Sequence, residues 1–176
     1  VVALRVVDLD RRYVHRREAD LVARKDGLTR VPWGYRPTGD VIAIDERVTT
    51  DPPGLTASLV EADARVDQSD GWLRRYVQFG RPLRRGDAVR IEHLQTLEVV
   101  GKPLEHFLQW SPITRCDEVK LQVAFATNPP KTVRYSCHSS TGEEVEWREI
   151  AIDEITGAFT VVVDNPVLGR YYKVRW

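Results

Sequence analysis

The strongest constraint on this chain is an alternation of apolar and polar side chains, with a period of two, through its last hundred residues. In Val119-Lys120-Leu121-Gln122-Val123-Ala124-Phe125 the apolar side chains fall on every second position. Val133, Tyr135 and Cys137 alternate with Thr132, Arg134, Ser136 and His138. Phe159, Val161 and Val163 alternate with Thr160 and Asp164, and Tyr172, Val174 and Trp176 with Tyr171, Lys173 and Arg175. Successive side chains of a strand point to opposite faces, so each run has one dry and one wet side, as in an antiparallel half-buried sheet. Turn chemistry separates the runs at Arg84-Arg85-Gly86-Asp87, Thr141-Gly142, Thr156-Gly157 and Asn165-Pro166-Val167-Leu168-Gly169. The spacing predicts strands at 75–80, 87–99, 118–126, 132–139, 144–152, 158–164 and 170–176. Short strands at this interval predict an all-β sandwich or barrel.

The N-terminal third is less regular. Residues 2–9, 12–25 and 40–48 read as strands, with a turn at Lys25-Asp26-Gly27. VPWGYRPTGD, rich in Pro, Gly and aromatics, reads as a structured loop. After Asp51-Pro52-Pro53, the residues Leu55, Leu59, Ala62 and Val66 recur at helical spacing and point to a short helix near 54–66, with a strand as the alternative. The boundary is expected at Asp67-Gln68-Ser69-Asp70-Gly71, giving a β-rich section at 1–70 and a sandwich at 71–176, or one compact domain that merges both.

The tail, from AFTVVVDNP through LGRYYKVRW, resembles the last two strands of an immunoglobulin-like or fibronectin-like sandwich, in which a Pro-x-x-Gly-x-Tyr connection leads into the final strand. The resemblance covers residues 75–176 at most. It implies an immunoglobulin-like antiparallel β-sandwich, extended by the N-terminal section, with Trp147 as its large core aromatic. The Cys pair around a Trp that marks antibody domains is not at the right spacing.

Composition removes other classes. Of 176 residues 42% are hydrophobic, and 26 Lys and Arg balance 26 Asp and Glu, which is too apolar and too neutral for a disordered chain. No apolar run reaches the roughly 18 residues of a membrane span. The opening VVALRVVDLDRR lacks a basic lead, and Asp8 and Asp10 interrupt it, so no signal peptide is expected and the cytoplasm is the expected compartment. Strand-like text at both ends reads as a module of a larger, bacterial-type polypeptide. Two cysteines are too few for a disulfide scaffold. A hairpin centred near Pro129 would face Cys137 with Leu121 and leave Cys116 about 17 Å out of register, so two reduced thiols are expected unless the strands belong to different sheets.

Signatures of catalysis are missing. His15, His93, His106 and His138 are scattered without metal-ligand spacing, and Cys137 and His138, adjacent on a strand, point to opposite faces. There is no phosphate loop, nucleotide fingerprint, nucleophile elbow or zinc helix. No metal, cofactor or catalytic residue is therefore expected.

Charge, though balanced, is segregated. Residues 74–90 hold Arg74, Arg75, Arg81, Arg84, Arg85 and Arg90 against Asp87 alone, while residues 139–164 hold seven acids and only Arg148. Arg-rich and Glu-rich strands lying side by side would account for this; so would a polyanion-binding surface. Trp33 and Tyr35 sit in the Pro/Gly loop beside Arg36, and Trp72 and Trp110 border other loops. Such aromatics either stack on a ligand or plug an open sandwich end. The reading is a non-catalytic binding or interaction module whose partner is a protein or an adjacent domain. Its candidate ligand residues are Trp33, Tyr35, Arg36, Trp72, Trp110, Arg74, Arg84 and Arg85. Nucleic acid or another polyanion on the arginine strip, and a carbohydrate or small ligand on the loop aromatics, are the rivals.

Overall fold

A computed structural model of the chain describes residues 2–8, 11–33, 40–52, 54–61, 75–102, 105–112 and 115–176. Among these residues there are thirteen strands and no helix. They are β1 (Val2–Asp8), β2 (Arg12–Val22), β3 (Leu28–Pro32), β4 (Val41–Asp51), β5 (Ala57–Glu61), β6 (Arg75–Leu83) and β7 (Ala88–Val99). There follow β8 (Phe107–Trp110), β9 (Glu118–Phe125), β10 (Thr132–His138), β11 (Glu144–Ala151), β12 (Ala158–Asp164) and β13 (Tyr171–Arg175). They form a six-stranded sheet β12-β9-β1-β2-β7-β4, a four-stranded sheet β11-β10-β13-β8 and a three-stranded sheet β3-β6-β5. The pairings are antiparallel except that of β1 with β9, which is parallel. The six-stranded sheet thus takes strands from both sequence sections, 1–70 and 71–176.

The alternation of the C-terminal runs is realised as burial. Val119, Leu121, Val123 and Phe125 of β9 and Phe159 and Val161 of β12 point inward from the six-stranded sheet. They meet Val133, Tyr135 and Cys137 of β10 and Tyr172 and Val174 of β13 from the four-stranded sheet. The two layers close as a sandwich, each fully buried Val, Leu or Phe contributing about 1.5–3 kcal/mol. A second core lies under the other end of the six-stranded sheet. There Val89 and Ile91 of β7, with Ala19 and Leu21 of β2, pack on Val77, Phe79 and Leu83 of β6.

Three expectations are corrected. Residues 57–61 are strand β5, paired with β6 from Ala57↔Phe79 to Glu61↔Arg75, and not part of a helix. Strands β9 and β10 do not form a hairpin but belong to opposite sheets, so Cys137 and Leu121 share the core between layers. Cys116 and Cys137 are both free thiols. Trp147 is not a core residue: it is 54% exposed on β11, the edge strand of its sheet among the described residues.

Candidate functional site

The inward face of the six-stranded sheet carries a polar band between its two cores. On β7 the positions Val89, Ile91, His93, Gln95 and Leu97 share that face, and all five are buried. On β2 the register pairs Arg17 with His93 and His15 with Gln95, and on β4 it pairs Glu46 with Gln95. Apolar rows flank this band on both sides: Tyr13 pairs with Leu97, and Ala19 with Ile91. One strand therefore reads apolar, polar, polar, apolar along a single face.

The hydrogen bonds of this seam have a defined direction. Trp33 Nε1–H donates to His93 Nδ1 at 3.0 Å, so the other ring nitrogen of neutral His93 carries the proton and donates to Glu46 Oε1 at 3.0 Å. His15 Nδ1–H points to Gln95 Oε1 at 3.4 Å, and the Gln95 amide donates to Glu46 Oε1. Arg75 Nη1–H spans both carboxylate oxygens of Glu46 at 2.7 and 2.9 Å. Arg17 lies over the Trp33 ring, 4.2 Å from its centroid. Glu46 is thus the common acceptor for three donors.

Titration follows the same geometry. Burial lowers the pKa of His15 to about 4, with the Gln95 hydrogen bond opposing and the Arg17 and His93 charges assisting. Burial also lowers His93, against the pull of Glu46, and brings Arg17 down to about 10. For Glu46 burial acts to raise the pKa, but His93, Arg75 and Gln95 outweigh it and hold the carboxyl below its ordinary value. A general base needs a free lone pair near neutral pKa. Both His93 nitrogens are engaged, and Glu46 is a weakened base.

The candidate residues fall into separate places. Trp33 is enclosed, at 3% exposure, and closes the second core instead of presenting a stacking face. Its backbone N–H donates to the Arg75 carbonyl at 2.8 Å. Tyr35, Arg36, Trp72 and Arg74 lie outside the described residues. Trp110 is half-buried on β8, tilted against Tyr172 at 6.0 Å, in a strand of the other layer. Arg84 and Arg85 lie on the β6–β7 turn, where their backbone N–H groups donate to Asp87 and Asp26. Their side chains are exposed and make no ion pair among the described residues. Elsewhere in the strip Arg75 pairs with Glu46, Arg81 with Asp87 and Arg90 with Asp20.

Sequence reasoning missed His15, Arg17, Glu46, His93 and Gln95. A signal existed: His93 and Gln95 occupy apolar-face positions in the alternation of β7, as His15 and Arg17 do in β2.

Two further features are exposed. The outer face of the four-stranded sheet sets rings beside cations, Arg134 over Trp147 at 4.5 Å and Lys173 over Phe107 at 3.6 Å, and stacks the His138 and Tyr171 rings at 4.6 Å. Beside β12 an open depression of about 410 Å³ is lined by Gln122, Asp153, Thr156, Phe159 and Thr160. Its carboxylate Asp153 is engaged by the Ile155 and Thr156 N–H groups. No group of His, Cys, Asp and Glu among the described residues is arranged to hold a metal ion, and no helix is long and apolar enough to cross a membrane.

No family profile and no curated protein matches the chain. Two solved structures are similar in outline. The M1 zinc metallopeptidase from Deinococcus radiodurans aligns with 99% of this chain and 40% of its own, at 13% identity and TM-score 0.48. A two-domain M1 zinc metallopeptidase variant bound to L-tryptophan aligns with 99% and 41%, at 12% identity and TM-score 0.47. The chain spans about two fifths of the length of each.

Proposed function

We propose that this chain is a non-catalytic β-sandwich interaction module, working in the cytoplasm within a larger polypeptide and contacting a protein partner or an adjacent domain. Strands β9–β13 are read as its immunoglobulin-like part. The observation that carries the reading is edge strand β11. Seven of its eight residues are exposed, including Val145 at 51% and Trp147 at 54%. An unpaired edge beside a large exposed aromatic is a site for strand addition or docking. The hydrogen bonds among Trp33, His93, Gln95 and Glu46 favour a structural role for the seam, since these groups are engaged with one another.

The polyanion rival retains only Arg84 and Arg85 as exposed, unpaired cations of the described strip. Hydrogen exchange tests the reading, comparing the isolated chain with the same chain inside its full polypeptide or native complex. Slower exchange of the 144–151 amides in the complex is expected. Unchanged exchange over 144–151 and over the outer face of the four-stranded sheet would reject it.

A further inference from the structure

We infer that the occupant of the β11 edge is a second copy of this chain, joined antiparallel to β11 about a two-fold axis at Trp147; this rests on reading β11 as the docking edge. The reason is the order of charges. With Trp147 facing its counterpart, Glu146 lies opposite Arg148 of the second copy, and Arg148 opposite Glu146. Two-fold symmetry makes both ion pairs from one short sequence. Val145 then faces Glu149, and Glu144 faces Ile150, so no like charges meet.

Neighbouring registers fail. A one-residue slip in one direction sets Glu146 against Glu149 twice, and in the other sets Glu144 against Glu149 twice. Two-residue slips place Glu146 against Glu146 or Arg148 against Arg148. Like charges directly opposite are destabilising, so the strand selects one pairing with itself and rejects its alternatives.

The structure leaves these groups available. Glu146 and Glu149 are exposed and make no ion pair among the described residues, whereas Glu144 is held by Arg134 at 2.7 Å. Arg148 is exposed and lies over the Tyr135 ring at 5.0 Å, on the β10 side of the strand, so it swings outward to meet Glu146 of the second copy. Three other edges are shorter: β8 has four residues, and β3 and β5 have five each. Pairing two β11 strands would give a continuous eight-stranded sheet with the two Trp147 rings on its outer face.

Sedimentation velocity over a micromolar to submillimolar range tests this. Mass is expected to double from 20.2 kDa as concentration rises. Arg148→Glu or Glu146→Arg alone should weaken association roughly tenfold or more, and the double exchange should restore it. Far-UV circular dichroism checks that each variant folds. A monomer at every concentration overturns the proposal, as does a dimer indifferent to both single reversals. If the chain is monomeric alone yet residues 144–151 are protected in the full polypeptide, the second copy is rejected while the interaction-module reading stands.

Discussion

His15 shows how one side chain in the seam sets a property of the whole. Its pKa falls from 6.5 to about 4 on folding, so between those values the unfolded chain binds a proton that the folded chain refuses. Stability is therefore fully present above about pH 6.5 and declines as pH falls towards 4, by roughly 2–3 kcal/mol from this residue. His93 shifts in the same direction, and the lowered pKa of Glu46 adds a further loss at more acid pH. Urea denaturation across that range is expected to show the decline, and His15→Gln to flatten it by about one proton's worth of slope; an unchanged slope would count against buried, neutral His15. Trp33→Phe removes the donor to His93 Nδ1 and leaves a buried acceptor unpaired. A loss of about 1–3 kcal/mol is expected in the same assay. These residues were only partly legible in sequence. A histidine at an apolar position of a strand announces burial, but the partner of His93, Glu46, lies three strands earlier in chain order and is revealed only by register.

At the scale of elements, the alternating runs were readable because each carries at least three apolar residues on alternate positions, which fix the dry face. Strands β3, β5 and β8 carry no such triplet. In β5 the spacing of Leu55 and Leu59 suggested a helix, yet pairing with β6 satisfies the same backbone groups, and that tertiary choice leaves no local trace. The Asn-Pro-Pro turn marked the break between β9 and β10 but could not say whether β10 returns beside β9 or crosses to the opposite layer. Trp147 was misplaced because hydrophobicity was read as burial on a strand that turns out to be an edge. Strand β6 carries a closer constraint: a Cβ on Gly80 would lie 2.1 Å from the Thr56 hydroxyl oxygen, beside the bond from Gly80 N–H to the Thr56 carbonyl. Gly80→Ala is expected to cost about 1–3 kcal/mol in thermal or urea unfolding. Adding Thr56→Ala should recover most of the loss; no recovery would place the cost elsewhere.

For the whole molecule, the seam is the joint between two apolar cores served by one sheet. Glu46→Ala deletes the acceptor shared by Arg75, His93 and Gln95, leaving the buried donors of His93 and Gln95 unmatched. A loss of about 3 kcal/mol or more is expected. The effect should be uneven. Amides of 28–32, 57–61 and 75–83 are expected to exchange faster, while β9–β13 keep their protection, because the sandwich core does not depend on Glu46. Uniform acceleration would mean that the two cores open as one. The parallel pairing of β1 with β9 has its own consequence during synthesis. Strand β1 can join β2 as soon as both emerge, but its other edge is completed by residues 121–125, over a hundred positions later. At ribosomal speed that flank waits on the order of ten seconds for its neighbour, a window in which a nascent chain needs shielding from its fellows.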